Sequence, residues 1–301
     1  MRLSAATGLL ALAATGCTRA GIEDKLRFGW PRGVTDKAVV MREMWTWSTV
    51  AALLVGFGVW GLIFWTVTFH RKRDDELPRQ TKLNLPLEIV YTIIPFLIVA
   101  VLFAYTATSE NEVNRLTANP DTTVRVVGFK WNWEWDYLDR RDPVVAASPE
   151  AEAKGANPFV NTVGSAEEIA VLVLPVGRSI RIVEDSADVI HSFWVPEFLF
   201  KRDVIPGLRN EFEITIDRAG SYVGRCAELC GTYHSQMNFE VRAVSWATYQ
   251  AYLDALAKIG GTDPDRQRKA LDAIGEVDHA TTTYPFNTNR TARGASESQG
   301  G

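Results

Sequence analysis

Two stretches of this chain run the length of a bilayer crossing without a single charged side chain. Residues 44–69 and 89–109 are rich in Leu, Val, Ile, Phe and Trp and contain no Asp, Glu, Lys or Arg. At about 1.5 Å of rise per residue, each is long enough to cross a hydrocarbon core about 30 Å thick. Neither shows the polar face that a surface helix of a soluble domain requires. Pro95 falls inside the second stretch, a position costly in water but tolerated in membrane helices. The expectation is a membrane α-helical hairpin, with transmembrane helices over 44–69 and 89–109 and the lipid bilayer as first partner. Its loop, residues 70–88, holds Arg71, Lys72, Arg73, Arg79 and Lys82, which suits a cytoplasmic position and leaves both ends outside. The segment 17–43 is also fairly basic, so charge alone leaves the orientation open.

The leader decides it. Residues 1–16 have a basic start at Arg2 and then a small apolar run too short to span a bilayer, the build of a secretory signal. The run ends in Ala14-Thr15-Gly16-Cys17, which resembles a bacterial lipobox except that Ala14 stands where Leu is usual. Cys17 is the expected lipidation site; a plain cleaved signal is the alternative. A bacterial cell membrane location follows, with the domain after the hairpin on the extracytoplasmic side.

From residue 112 the pattern changes to short runs rich in Val, Ile and Phe, at 122–129, 168–175, 179–185, 188–195, 211–216, 221–226 and 238–244. Their rhythm reads as an all-β sandwich or barrel over 112–244. Residues 139–166 form a long polar insertion to which no fold is assigned. Ser245 caps a helical pattern over 245–259 that stops at Gly260-Gly261. The polar remainder, 260–301, is expected to be largely disordered. A net charge of -4 and a pI near 5.7, with no clustered basic face, exclude nucleic acid as a partner.

The densest chemical signal is Cys226-Ala-Glu-Leu-Cys230-Gly-Thr-Tyr-His234-Ser-Gln-Met237. Three cysteines in the chain are too few for a disulfide framework. Thiols and imidazole fit copper, zinc or iron–sulfur, and a closing thioether favours copper because it binds zinc poorly. A Cys226–Cys230 disulfide and a structural zinc are the bland competitors, and a disulfide leaves the other donors without a role. One more His from an earlier strand would complete the set. His70 ends the first membrane span and His279 lies in the tail, so His191, within Asp188-Val-Ile-His191-Ser-Phe-Trp-Val, is the candidate. Two thiolates can each bridge a pair of copper ions, which is the chemistry of an electron relay.

With DVIHSFWVPEF, KRDVIPG and CAELCGTYHSQM in place, the chain closely resembles subunit II of haem–copper cytochrome c oxidases over roughly residues 40–258. The resemblance implies a cupredoxin-like Greek-key barrel carrying a dinuclear copper A centre. Cys226 and Cys230 would bridge both coppers, His191 and His234 would each bind one, and Met237 and the Glu228 carbonyl would complete the two spheres. It further implies that the Glu228 side chain joins a magnesium or manganese site shared with subunit I. Within Lys130-Trp131-Asn132-Trp133-Glu134-Trp135-Asp136-Tyr137, Trp131 resembles the family's electron-entry residue. Glu134, Asp136 and Asp139 are candidate docking charges for a basic donor. Glu88 resembles the acid at the mouth of a proton path into subunit I; the bland reading is a dipole-stabilised helix start.

The implied function is that of subunit II of an aa3-type oxidase. It takes electrons from cytochrome c, or from the c-type haem domain of a cytochrome bc complex, and passes them to haem in subunit I, where oxygen reduction drives proton pumping. Motif wording, lipobox and insertion look most like actinobacterial members, in which a supercomplex supplies the donor. A membrane-anchored copper carrier is the alternative, although such carriers use exposed Met or His clusters. The copper domain of nitrous-oxide reductase lacks a hairpin, and quinol-oxidising relatives lack the ligands.

Overall fold

The computed structural model describes residues 27–72, 75–76, 80–138, 160–165, 168–261 and 265–276. The leader, Cys17, Asp139, most of the 139–166 insertion and residues 277–301 lie outside them. The chain divides into two compact units, residues 1–30 with 40–112 and residues 31–39 with 113–301.

The first unit is built on helices α1 (Asp36–Phe69) and α2 (Leu85–Val113). Both are long and apolar enough to cross a membrane, and their most apolar windows have no buried residue. Phe103 is 74% exposed, with Phe57 and Phe96 close behind, an exposure that lipid favours and water does not. Both helices outrun the charge-free windows, because charge limits what lipid accepts and not where a helix propagates. Thr66, Thr92, Thr106 and Thr108 turn their hydroxyls back onto carbonyls of the preceding turn, which satisfies them without water. At the start of α2, Asn84 Oδ1 accepts the Leu87 N–H at 3.4 Å and the Glu88 carboxylate accepts the Asn84 N–H at 3.0 Å, a reciprocal cap.

Among the described residues, the second unit holds ten strands: β1 (Thr122–Phe129), β2 (Asn132–Leu138), β3 (Val160–Val163), β4 (Ala170–Pro175), β5 (Ser179–Ser186), β6 (His191–Val195), β7 (Phe200–Val204), β8 (Asn210–Thr215), β9 (Gly220–Cys226) and β10 (Asn238–Val244). They form two five-stranded sheets, ordered β3-β2-β1-β5-β8 and β4-β10-β9-β6-β7. Most neighbours are antiparallel, but β1 runs parallel to β5 and β4 to β10. Parallel neighbours require crossovers in place of hairpins, which gives the Greek-key connectivity. Alternation does the rest. Val124, Val126, Ile180 and Ile182 of one sheet and Leu172, Leu174, Phe193 and Val241 of the other are sealed from solvent. Trp133 and Trp135 stack at 5.8 Å between the sheets, and Phe239 lies 5.2 Å from each. A Cβ at Gly224 would overlap the Phe239 ring, so glycine is required there.

Four features depart from expectation. Part of the insertion is β3, paired to β2 through Trp135–Thr162 and Tyr137–Val160. The strand β7 joins the expected set, and the alternating aromatic run is β2, with Trp133 and Trp135 packed as a sheet face. Part of the 260–301 tail is helical. After α3 (Trp246–Ile259), capped by Ser245 Oγ on the Thr248 N–H at 3.1 Å, a second helix, α4 (Arg266–Ala273), docks on the barrel. Gln267 accepts the Val171 N–H at 2.8 Å and donates to the Ile169 carbonyl at 2.9 Å, while Arg266 donates to the Asn161 and Leu256 carbonyls. Finally, residues 31–39 belong to the β unit. The Val34 N–H reaches the Glu197 carbonyl at 3.0 Å, the Asp217 N–H reaches the Val34 carbonyl at 2.9 Å, and Thr35 bridges Ile216.

Candidate metal centre

The donor-bearing loop leaves β9 at Cys226 and returns to the barrel at β10, at the end where β6 begins with His191. Backbone bonds pin both ends of the loop. The Ala227 N–H donates to the Ser192 carbonyl at 3.1 Å, and the Cys226 N–H donates to the Met237 carbonyl at 3.0 Å. Trp133 Nε1 also donates to the Met237 carbonyl, at 3.4 Å. Gly231, at φ +118°, supplies a turn that a side chain would strain. A short 3-10 turn, His234–Gln236, then aims His234 back at the sulfurs.

The donor atoms fall into two groups around two thiols. Cys226 Sγ lies 3.9 Å from His191 Nδ1 and 3.3 Å from the Glu228 carbonyl. Cys230 Sγ lies 3.5 Å from His234 Nδ1 and 3.7 Å from Met237 Sδ. The sulfurs are 3.8 Å apart and both cysteines are free. Donor atoms of His191, Cys226 and Cys230 all lie within 4.8 Å of one another; His234 joins from the far side, through Cys230. His191 and Met237 are fully buried and both thiols nearly so. All six residues singled out in the sequence therefore meet, Glu228 through its carbonyl.

Electrostatics split the thiols. Burial alone would raise Cys226, but the His191 ring, the backbone at Glu228 and Ser192, and His234 bring it down to about 7. Burial and the adjacent Cys226 sulfur push Cys230 up to about 12. One thiolate thus opposes the next, and a cation is needed to hold both. Burial would lower His191, yet the Cys226 sulfur and Asp188 raise it above its usual range.

Two neighbours of the site carried no chemical label in the sequence. Asp188 places Oδ1 2.9 Å from His191 Nε2, fixing the ring that presents Nδ1 to sulfur. Gly128 leaves the room the ring occupies: a Cβ there would sit 3.0 Å from His191 Cδ2. The spacing of Asp188, one strand approach before His191, was the available clue; Gly128 offered none. Trp131, half-buried, donates Nε1–H to the Cys230 carbonyl at 3.1 Å and meets Tyr233 edge-on at 4.9 Å. Asp136 does not face a partner: it is 1% exposed and binds Arg125 at 2.6 Å. Glu134 accepts from Asn161 at 2.9 Å. Glu88 belongs to the helical unit, as the α2 cap. Cys17 and Asp139 lie outside the described residues.

A two-sheet cupredoxin-like barrel with a dithiol, bis-imidazole and thioether loop at one end, on a chain that also bears two membrane-length helices, fits a metal-thiolate domain of a membrane protein. The model of the family "Cytochrome C oxidase subunit II, periplasmic domain" matches residues 122–244. A probable cytochrome c oxidase subunit 2 of Nocardia farcinica is 46% identical over 97% of this chain and 89% of its own length. The cytochrome c oxidase subunit 2 of Mycobacterium tuberculosis is 40% identical over 96% and 89%, and a probable one of Streptomyces avermitilis is 43% identical over 85% and 86%. The chain belongs to the cytochrome c oxidase subunit 2 family, membrane-protein subunits of haem–copper oxidases. Within that family the His191, Cys226 and Cys230 cluster fits a copper site.

Proposed function

We propose that this chain is the electron-entry subunit of an aa3-type cytochrome c oxidase. On this reading it takes single electrons from cytochrome c, or from the c-type haem domain of a bc complex, and delivers them to haem in subunit I, where oxygen reduction drives proton pumping. The observation that carries the proposal is the pairing of donors: each thiol has its own imidazole and its own third donor, Glu228 carbonyl for Cys226 and Met237 for Cys230. A set with this two-part division suits two metal ions sharing both sulfurs. Bound there, a copper pair would supply one-electron relay chemistry with little rearrangement of its ligands.

The chain's own residues do the positioning. Asp188 orients His191, the Met237 carbonyl holds the loop against β9 and β2, and burial excludes water from both sulfurs. Trp131 connects the outer surface to the Cys230 backbone through one hydrogen bond, which supports its role as electron inlet. The Glu228 side chain is available for a magnesium or manganese ion shared with subunit I, and Glu88, besides capping α2, would lie at a proton-path entrance. The exported leader, lipidated at Cys17, puts the metal domain on the extracytoplasmic face of a two-span chain, within a supercomplex.

The full chain in detergent, loaded with copper, tests this reading. Two coppers per chain sharing one unpaired electron in electron paramagnetic resonance is the expected result. One copper with a mononuclear signal, or retained zinc, would sink it and leave the copper-carrier reading.

A further inference from the structure

His191 heads β6 and Met237 immediately precedes β10, and a side chain from the opposite sheet reaches both. Trp133 lies on the inward face of β2, sealed from solvent. Its ring centroid is 6.1 Å from that of His191, tilted by 59°, and its Nε1–H donates to the Met237 carbonyl at 3.4 Å. The same carbonyl accepts the Cys226 N–H at 3.0 Å. The indole is itself fixed. Across the β1–β2 ladder Trp133 pairs with Gly128, whose missing side chain leaves the room of the His191 ring. The Trp133 carbonyl accepts the Gly164 N–H at 3.0 Å, and its N–H donates to Asn132 Oδ1 at 3.0 Å. Trp135 stacks against it at 5.8 Å and Phe239 closes one side at 5.2 Å. Trp135 differs in one respect. It is as deeply buried, and its ring contacts are Trp133, Phe193 and Phe239, yet its Nε1–H finds no acceptor among the described residues.

Resting on the electron-entry reading above, we infer that Trp133 is a positioning residue: it fixes the His191 half of the centre relative to the Met237 half, and so sets the potential at which two metal ions there share an electron. A thioether is a weak donor on a flexible side chain, so its reach to a metal depends on where its backbone is held. The Cys226 N–H holds the Met237 backbone only to the base of its own loop. The indole N–H holds it to the other sheet. Because the His191 ring leans on the same indole, one rigid side chain gauges the distance between the two donor groups. Outer partners of this kind orient ligands and tune the ion they hold, and a weak axial donor is a lever on potential. A Met237 that recedes from its ion leaves the two ions unequally ligated, and an electron then favours one of them.

The test compares the copper-loaded full chain in detergent as wild type, Trp133→Phe and Trp135→Phe, by redox titration and electron paramagnetic resonance. Both substitutions remove the same atoms from the same stacked pair, but only the first removes the tether to Met237. With two coppers per chain retained, Trp133→Phe should lower the ratio of oxidised to reduced affinity about tenfold, a rise of about 59 mV in a one-electron midpoint, because a receding donor costs the more highly charged state more. The unpaired electron should then be shared unequally between the two nuclei. Trp135→Phe should lower the melting temperature by a similar amount and leave midpoint and signal at wild-type values. A midpoint unmoved in Trp133→Phe would overturn the inference, and so would an equal shift in Trp135→Phe, which makes lost core volume the cause. Benzothienylalanine at position 133 keeps the ring's shape and replaces the N–H with sulfur, so it reads the tether alone even where the Phe variant does not fold; its midpoint should also rise, and an unmoved one sinks the proposal. The wild-type signal separates the two levels. If one electron is shared by two coppers there and the position 133 variants match wild type, only the role of Trp133 fails; if wild type shows no shared electron, the entry reading fails as well.

Discussion

The His191 ring is confined by three neighbours: Asp188 at Nε2, the Cys226 sulfur at Nδ1, and the space that Gly128 leaves open. Asp188→Asn keeps the shape but loses the charge-assisted bond, and copper affinity should fall about 10- to 100-fold, read by titration against a competing chelator. Gly128→Ala pushes a methyl to the ring, and the expected outcome is a copper signal converted to a mononuclear form while the fold persists. The split thiols make loading pH-dependent. With Cys226 half ionised near 7 and Cys230 protonated to about 12, metal held by both sulfurs at pH 7 displaces about 1.5 thiol protons. Affinity should weaken as pH falls below about 12, where Cys230 takes up its proton, and more steeply below about 7, where Cys226 follows, and calorimetry in buffers of different ionisation heat counts the protons. The donor cluster was legible because two thiols, an imidazole and a thioether in one short loop have few other uses. Asp188 and Gly128 were not, since their value lies in where strand pairing sets them, and Asp136 misled because an acid alternating with tryptophans reads as exposed until Arg125 is seen across the β1–β2 ladder.

Among the elements, strands with plain Val/Ile alternation announced themselves, and so did α3 through its Ser245 cap and Gly260 stop. The strand β3 was hidden in four residues of an otherwise polar insertion. The helix α4 was hidden because only eight residues, mostly polar, make it up, and its hold on the barrel combines side-chain pairing to a strand with just two core side chains, Ala270 and Leu271. Gln267 supplies that pairing to both the Val171 N–H and the Ile169 carbonyl. Gln267→Ala would leave both buried groups unmet and should destabilise the β unit by about 2–3 kcal/mol, visible as a lowered melting temperature with the copper signal intact below it.

At the scale of the whole molecule, absence of charge made the two membrane-length helices the most legible part of the chain. The attachment of residues 31–39 to the barrel was not legible, because a basic stretch without periodicity reads as linker. Val34, fully buried there, makes the test: Val34→Asp places a charge in the apolar core and should cost several kcal/mol, melting the β unit while helix content from α1 and α2 survives. The strand β4 closes one sheet as its edge, and its outward row is met by Gln267 at Val171 and Ile169 and by the Tyr137 hydroxyl at the Val173 N–H, 3.0 Å away. Anyone cutting a soluble fragment from this chain would be drawn to stop at Gly260, where the last obvious helix ends. That cut would bare half of the edge ladder and invite a second copy to pair with it, so such a fragment should self-associate where one carried through residue 276 stays monomeric.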